Sequence, residues 1–246
     1  MKALDLNSEN KKIVLLIHPM LSSADGMKIN IADNLGDDLR YIIPDLSAHG
    51  ESIDKTYHSS KEEAHAIYDH LKALNISKLD LAYGASLGGV VLLQLLEYKD
   101  IQINKAIFEG CSLWQNSWIQ EFFMKKIFIK KHRKAIKDRE LAVKRMTRIY
   151  GEKASVMADT FIAMSEESII NIIHDCSFVN LPRLSEDEQR KCLFTYGSKE
   201  FDLMSAKKYL PKNYPYASLR LWNGYGHCTR ITKDTENYCM EIREEF

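Results

Sequence analysis

Residues 78–98 read KLDLAYGASLGGVVLLQLLEY, and the rest of the chain is read outward from them. An apolar run from Leu79 to Tyr83 turns through Gly84-Ala85-Ser86-Leu87-Gly88-Gly89 and resumes as a longer apolar segment from Val90 to Leu96. The first run has the length of a buried strand. The second contains no turn signal and is too extended for another strand, so it reads as a buried helix. The turn between them matches G-x-S-x-G at Gly84, Ser86 and Gly88. In such an elbow the serine sits on strained backbone that lifts its hydroxyl above the sheet, and the glycines avoid a Cβ that would strike the neighbouring strand or helix. The helix that follows aims its first N–H groups and the positive end of its dipole at the serine. Two other glycine-rich turns are excluded. A phosphate-binding loop needs Lys after its last glycine, and none follows Gly88 or Gly89; a dinucleotide fingerprint fails because Ala85-Ser86 separates Gly84 from the later pair.

The chain has 246 residues, 45% of them hydrophobic, which suits one α/β domain with a sizeable core and room for one insertion. With 34 basic and 34 acidic side chains its formal net charge is zero, so overall charge gives no argument for nucleic acid or membrane. The five cysteines are scattered, odd in number and free of C-x-x-C spacing, the pattern of a reduced, cytoplasmic protein rather than a disulfide scaffold or zinc site. The start, MKALDLNSENKK, has no apolar signal region, and no apolar run approaches a membrane span. No metal and no organic cofactor is expected.

Lys12–His18, KIVLLIH, reads as a central parallel strand buried on both faces. A helix is expected over Met27–Leu39, then a strand at Tyr41–Ile43 cut off by Pro44, then a polar loop from Asp45 to Ser52. Ala64, Ile67, Leu71 and Leu74 predict an amphipathic helix over Ser59–Leu74, opened by a capping box of Ser60 and Glu63. Ala106–Phe108 is a further strand, ending at Glu109-Gly110. From Cys111 to about Arg190 the alternation stops, and the pattern becomes helical, aromatic at first (Trp114, Trp118, Phe122, Phe123, Phe128) and then basic, with eleven Lys or Arg against two acids from Lys125 to Arg148. This reads as a helical cap, 111–190, inserted into a core made of 1–110 and 191–246. Its aromatics are expected to pack on the sheet, and Trp114, Trp118 and Phe122 to wall a substrate pocket. The basic run reads as solvated helix faces, with an anion or nucleic-acid surface as the alternative. Strands return at Lys191–Tyr196 and Ser218–Trp222. Between them lies a helix from Met204 to Leu210 stopped by Pro211; after them come a glycine-rich loop, Asn223–Cys228, and a helix from Ile231 to Phe246. Strands alternating with helices imply a mostly parallel sheet with right-handed crossovers.

Serine is a weak nucleophile at neutral pH and needs a base within hydrogen-bond reach, itself oriented by a carboxylate. In chain order the candidates are Ser86, then Glu200 or Asp202, then His227, each just beyond an apolar run, where the upper ends of parallel strands would be. Cys228 reads as a packing residue, and His18 as a loop-structuring one.

These landmarks together resemble the α/β-hydrolase superfamily over nearly the whole chain. Ile17-His18-Pro19-Met20 is similar to its strand ending in His-Gly, Pro44–Ser52 to its D-x-x-G-H-G-x-S loop, Gly84–Gly88 to its elbow, Gly197–Glu200 to its G-x-x-D, and Gly226-His227 to its Gly-His. The resemblance implies a serine hydrolase cleaving a carboxylic ester or related small acyl substrate, with oxyanion donors at the amides of Met20 and Leu87. Proline replaces a glycine at position 19, but neither donor depends on it. Glutamate stands at position 200 where the family usually has aspartate, which leaves Asp202 as an alternative acid and Glu109 as a third. Twelve residues before the first central strand are too few for the family's two antiparallel edge strands, so one or both should be missing. The same scaffold also carries C–C bond hydrolases, lyases and non-catalytic small-ligand binders.

Overall fold

The computed structural model describes residues 1–151 and 155–246. Nine strands form among them: β1 Lys2–Leu6, β2 Ile13–Ile17, β3 Arg40–Asp45, β4 Lys78–Leu79, β5 Leu81–Ala85, β6 Gln102–Ile103, β7 Ala106–Glu109, β8 Cys192–Gly197 and β9 Ser218–Trp222. Seven make one sheet in the order β1-β3-β2-β5-β7-β8-β9, while β4 and β6 pair apart from it. Only β1 runs antiparallel, against β3; the other neighbours are parallel. One antiparallel edge strand is thus present, and the expected shortening amounts to the loss of its partner.

The helices among the described residues are α1 Ala24–Met27, α2 Asp33–Leu35, α3 Ser60–Ala73, α4 Leu87–Leu95, α5 Trp118–Lys137, α6 Arg139–Tyr150, α7 Ser155–Ala163, α8 Glu166–Ser177, α9 Glu186–Arg190, α10 Leu203–Asn213, α11 Thr229–Lys233 and α12 Thr235–Arg243. Helices α5 to α9 all fall between β7 and β8, which are hydrogen-bonded neighbours.

The sheet is buried on both faces, which is why its strands are continuously apolar. Along β2, Leu15 and Ile17 join a core with α3 and α4, while Val14 and Leu16 join a second core with α1, α2 and α12. All nine residues of α4 are buried. The elbow helix therefore has no solvent-facing side.

Local physics moved several element boundaries away from the sequence reading. The helix expected over Met27–Leu39 starts earlier, where the Ser23 hydroxyl accepts the Gly26 N–H at 3.2 Å, runs through a π-helical turn at Lys28–Ala32, and stops at Leu35 because Gly36 takes φ 127°. Pro44 does not cut β3: the ladder with β2 ends at Leu15–Ile42, so the proline lies beyond it with only Ala3 of β1 alongside. The cap of α3 is Ser59, whose hydroxyl accepts the Glu62 N–H, and no Ser60–Glu63 box forms. The Glu63 carboxylate instead accepts the Ser47 N–H at 3.2 Å, and the Ser60 amide donates to Asp175. Pro211 stands inside the last turn of α10, at an exposed position where water can reach the carbonyl it leaves unpaired. The C-terminal helix is two helices, broken at Asp234, whose extended φ of −143° lets its carboxylate accept from Arg230 and Asn237.

The tightest approach of backbone to backbone is at Gly88, where a Cβ would lie 2.2 Å from the carbonyl oxygen of Ile17. Both groups are backbone, so neither can swing aside. Gly88→Ala is expected to lower unfolding free energy by about 3 kcal/mol in urea titration. A loss below about 1 kcal/mol would mean that α4 can slide away from β2.

Candidate active site

Five adjacent strands of the sheet, β2, β5, β7, β8 and β9, end at one edge and carry Met20, Ser86, Glu109, Glu200 and His227 in the loops or residues that follow. The strand order reverses between β2 and β5, so Met20 and Ser86 flank the topological switch point, where open α/β sheets bind ligands.

Ser86 joins β5 to α4 at φ 51° and ψ −113°, a conformation a non-glycine residue holds only when its surroundings force it. Its own amide donates to the Glu109 carbonyl oxygen at 2.7 Å, which ties the elbow to β7. The Ser86 Oγ lies 2.8 Å from His227 Nε2, and His227 Nδ1 lies 2.7 Å from Glu200 Oε2. Glu200 is buried, and its other oxygen accepts the Gly197 N–H at 2.7 Å, which fixes the carboxylate. The loops bearing Glu200 and His227 are laced together: the Ser198 amide donates to the Trp222 carbonyl, the Lys199 amide to the Tyr225 carbonyl, and the Gly224 amide to the Ser198 hydroxyl.

The other two candidate acids are set apart. The nearest Asp202 oxygen is 4.0 Å from Nδ1, beyond hydrogen-bond distance. The Glu109 side chain points through the sheet to the opposite face, where Thr195, Trp222 and Tyr238 donate to one of its oxygens at 2.5, 2.8 and 3.2 Å. Cys228, buried beside His227 at φ 53°, packs toward the Glu109 carbonyl at 3.9 Å.

Above this edge is a cavity of about 800 Å³ with Met20, Ser86, Leu87 and His227 at its floor. As the first residue of α4, Leu87 has no carbonyl four residues back in its own helix to receive its N–H. Trp114, Trp118 and Phe123 line the cavity, and Phe122 is not among its lining residues. On a helix Phe122 is turned about 100° from Phe123, and its ring instead packs edge-on against Phe123 and receives the Lys126 ammonium at 4.1 Å. Further wall comes from Ile119, Met124 and Phe128 of α5, from α8 through Ile172, Ile173 and Cys176, and from Phe201 and Asp202. For the α8 residues the sequence offered no signal beyond their apolar spacing, which specifies a buried face but not what it faces. Among the described residues no three His, Cys, Asp or Glu side chains gather as a metal site, and no helix is long and apolar enough to cross a membrane.

No protein-family model matches the sequence, and no curated protein matches it. Solved structures do. A protein from Desulfitobacterium hafniense, described as of the alpha/beta hydrolase family, aligns with a TM-score of 0.74 at 16% identity, covering 99% of each chain. The chain has the α/β-hydrolase fold. A thermophilic esterase from Thermogutta terrifontis aligns with a TM-score of 0.75 at 16% identity, over 99% of this chain and 91% of its own. A carboxylesterase from Nitrososphaera gargenis gives 0.73 at 19% identity, over 98% and 92%.

Within this α/β-hydrolase fold the buried ionisable groups fall into two sets. Burial pulls the imidazolium of His227 down, but the neighbouring Cys228 and Glu200 outweigh it and the net shift is upward. Burial holds the Cys228 thiol up at about 11, so at neutral pH it faces His227 uncharged. His18 and His49 are different. Their rings are 4.8 Å apart and fully buried, and burial pulls them down to about 4 and about 3. A neutral His18 suits its bonds: Nδ1–H donates to the Pro19 carbonyl at 2.9 Å while Nε2 accepts the Leu46 N–H at 3.0 Å, and together these shape the loop before Met20.

Glu109 is a second buried acid at this edge. Burial pushes its carboxyl up to about 7, against the hydrogen bonds from Thr195 and Trp222, and the charge of Glu200 adds to the rise. A folded-state value above the ordinary 4.5 means that the folded protein holds a proton the unfolded chain has released. The contribution to stability is then full below about pH 4.5 and is lost as pH climbs through about 7. Glu109→Gln removes this dependence. Its unfolding free energy should gain on the wild type by about 3 kcal/mol between those two pH values, as read from urea titrations. A difference that stays constant with pH would place the charge of Glu109 in a better-solvated site than its burial indicates.

Proposed function

We propose that the protein is a serine hydrolase that cleaves a carboxylic ester or a related small acyl substrate. The observation that carries this reading is the unbroken hydrogen-bond chain from Glu200 through His227 to Ser86, opening on an apolar-walled cavity. The esterases among the structural neighbours support it.

In this reading Ser86 Oγ attacks the substrate carbonyl while His227 Nε2 takes its proton. Glu200 holds Nδ1–H and so fixes the tautomer that leaves Nε2 free to accept, and it stabilises the imidazolium that forms. The amides of Leu87 and Met20 receive the developing oxyanion; losing one such donor typically costs about 100- to 1000-fold in turnover. Collapse of the tetrahedral species expels the alcohol, protonated by His227, and leaves Ser86 acylated. Water, deprotonated by His227, then attacks the acyl-enzyme and restores the serine. The helices of 111–190 serve as the cap, with Trp114, Trp118 and Phe123 shaping the acyl site. Five unpaired cysteines support a cytoplasmic setting.

Initial rates on p-nitrophenyl acetate, butyrate and octanoate test the assignment. Ser86→Ala and His227→Ala should each lose at least about 1000-fold in kcat, and Glu200→Gln somewhat less, because the tautomer is lost but the acid's shape is kept. Asp202→Asn should stay within about threefold of wild type, since its carboxylate is out of hydrogen-bond range. A wild type inert on all three esters whose Ser86 still takes a fluorophosphonate would shift the reading to C–C bond hydrolysis or lysis. No labelling would make the protein a binder.

A further inference from the structure

We propose that α5 docks the protein on an anionic membrane surface, with the mouth of the cavity turned toward the bilayer. The helix has 20 residues, about 30 Å of length. His132 and Ala135 bury one of its sides. Ile119, Phe123, Lys126, Lys130, Lys134 and Lys137 recur at spacings of three, four and seven residues, so they share the opposite side. Four large apolar side chains in its first two turns are open to solvent: Trp118 is 68% exposed, Ile119 53%, Phe122 52% and Phe123 57%. Ile127, four residues after Phe123, continues the exposed apolar surface one turn further along the helix. An aromatic and aliphatic patch of this kind on an otherwise charged surface marks an interaction site.

The charge carried by α5 and α6 is just as particular. Eleven basic residues against two acids lie between Lys125 and Arg148, in a chain whose formal net charge is zero. Three of the eleven are neutralised locally, Lys125 by Glu121, Arg133 by Glu166 and Arg139 by Asp159. Among the described residues Lys126, Lys130, Lys134 and Lys137 make no ion pair with a carboxylate. The face thus has an aromatic end and a cationic end side by side. That is the arrangement of an interfacial helix, in which rings enter the boundary between headgroups and acyl chains while lysine stems reach lipid phosphates.

Nucleic acid would match the lysines but not the rest, since Ile119, Phe123 and Ile127 would find no apolar partner along a phosphate backbone. Trp118, Ile119 and Phe123 also line the cavity above Ser86. Docking through this end of the helix therefore brings the cavity mouth to the lipid boundary, where an amphiphilic substrate would enter. The docking itself does not depend on the hydrolase reading.

The test is flotation of the full chain with phosphatidylcholine vesicles, with and without about 30 mol % phosphatidylserine. Binding should be at least tenfold stronger to the anionic vesicles at low salt, weaken as salt is raised, and be the same for Ser86→Ala. Trp118 emission should shift to the blue on binding, and Trp118→Phe should lose that shift. The charge-reversed variant K126E/K130E/K134E should lose at least tenfold of the anionic preference while keeping wild-type rates on p-nitrophenyl acetate. Phe122→Ser with Phe123→Ser should weaken binding on both vesicle types. Equal or negligible binding to the two vesicles at low salt would overturn the proposal. So would tighter, salt-sensitive capture of a DNA duplex by the same lysines.

Discussion

The strained backbone at Ser86 is the constraint on which the rest of the structure depends. A non-glycine residue at φ 51° relaxes unless its neighbours forbid it. They forbid it from three sides. The Ser86 amide is held by the Glu109 carbonyl on β7, and the strand before it is locked between β2 and β7. The helix after it lies so close to β2 that no side-chain atom fits at Gly88. The fully buried α4 is the means by which hydrophobic burial holds this geometry. A serine hydroxyl aimed out of the sheet is thus maintained by apolar packing behind it, not by bonds to the hydroxyl itself.

Much of this was legible in the sequence for a simple reason. Parallel strands buried on both faces must be apolar throughout, so KIVLLIH, the run before the elbow and KCLFTY announce themselves, and the polar residues just beyond them fall at one sheet edge. The side chains read as nucleophile, base and acid come together because each follows such a strand. What escaped the reading depends on longer-range partners. Helix spacing shows that α5 and α8 have buried faces, but spacing alone cannot tell Phe122 from Phe123 when both are aromatic and adjacent. The Ser60–Glu63 box looked sound locally, yet Glu63 is engaged by Ser47 and the Ser60 amide by Asp175, 115 residues away. Pro44 and Pro211 were read as breaks because the sequence cannot show that the hydrogen bonds they forfeit lie past a ladder or in water.

The two buried acids beside the site illustrate how one sheet edge can hold carboxyls in unlike states. Glu200 faces a histidine and a backbone N–H. Glu109 faces two hydroxyls and an indole, with its second oxygen unpartnered among the described residues. Among the described residues no cation pairs with Glu109, and the guanidinium of Arg230 instead lies over the Trp222 ring, 4.3 Å from its centroid. Burial without a compensating cation therefore pushes the Glu109 carboxyl up to about 7.

The helices between β7 and β8 leave and rejoin the sheet at strands that lie side by side, about 5 Å apart. A segment anchored at two such neighbouring points is topologically a single long loop, and the entropy of closing it grows only with the logarithm of its length. Its size and sequence can therefore drift while the register of the strands beneath stays put. Because that segment also supplies Trp114, Trp118 and Phe123 to the cavity, the space above Ser86 can be reshaped without moving the strands that hold it.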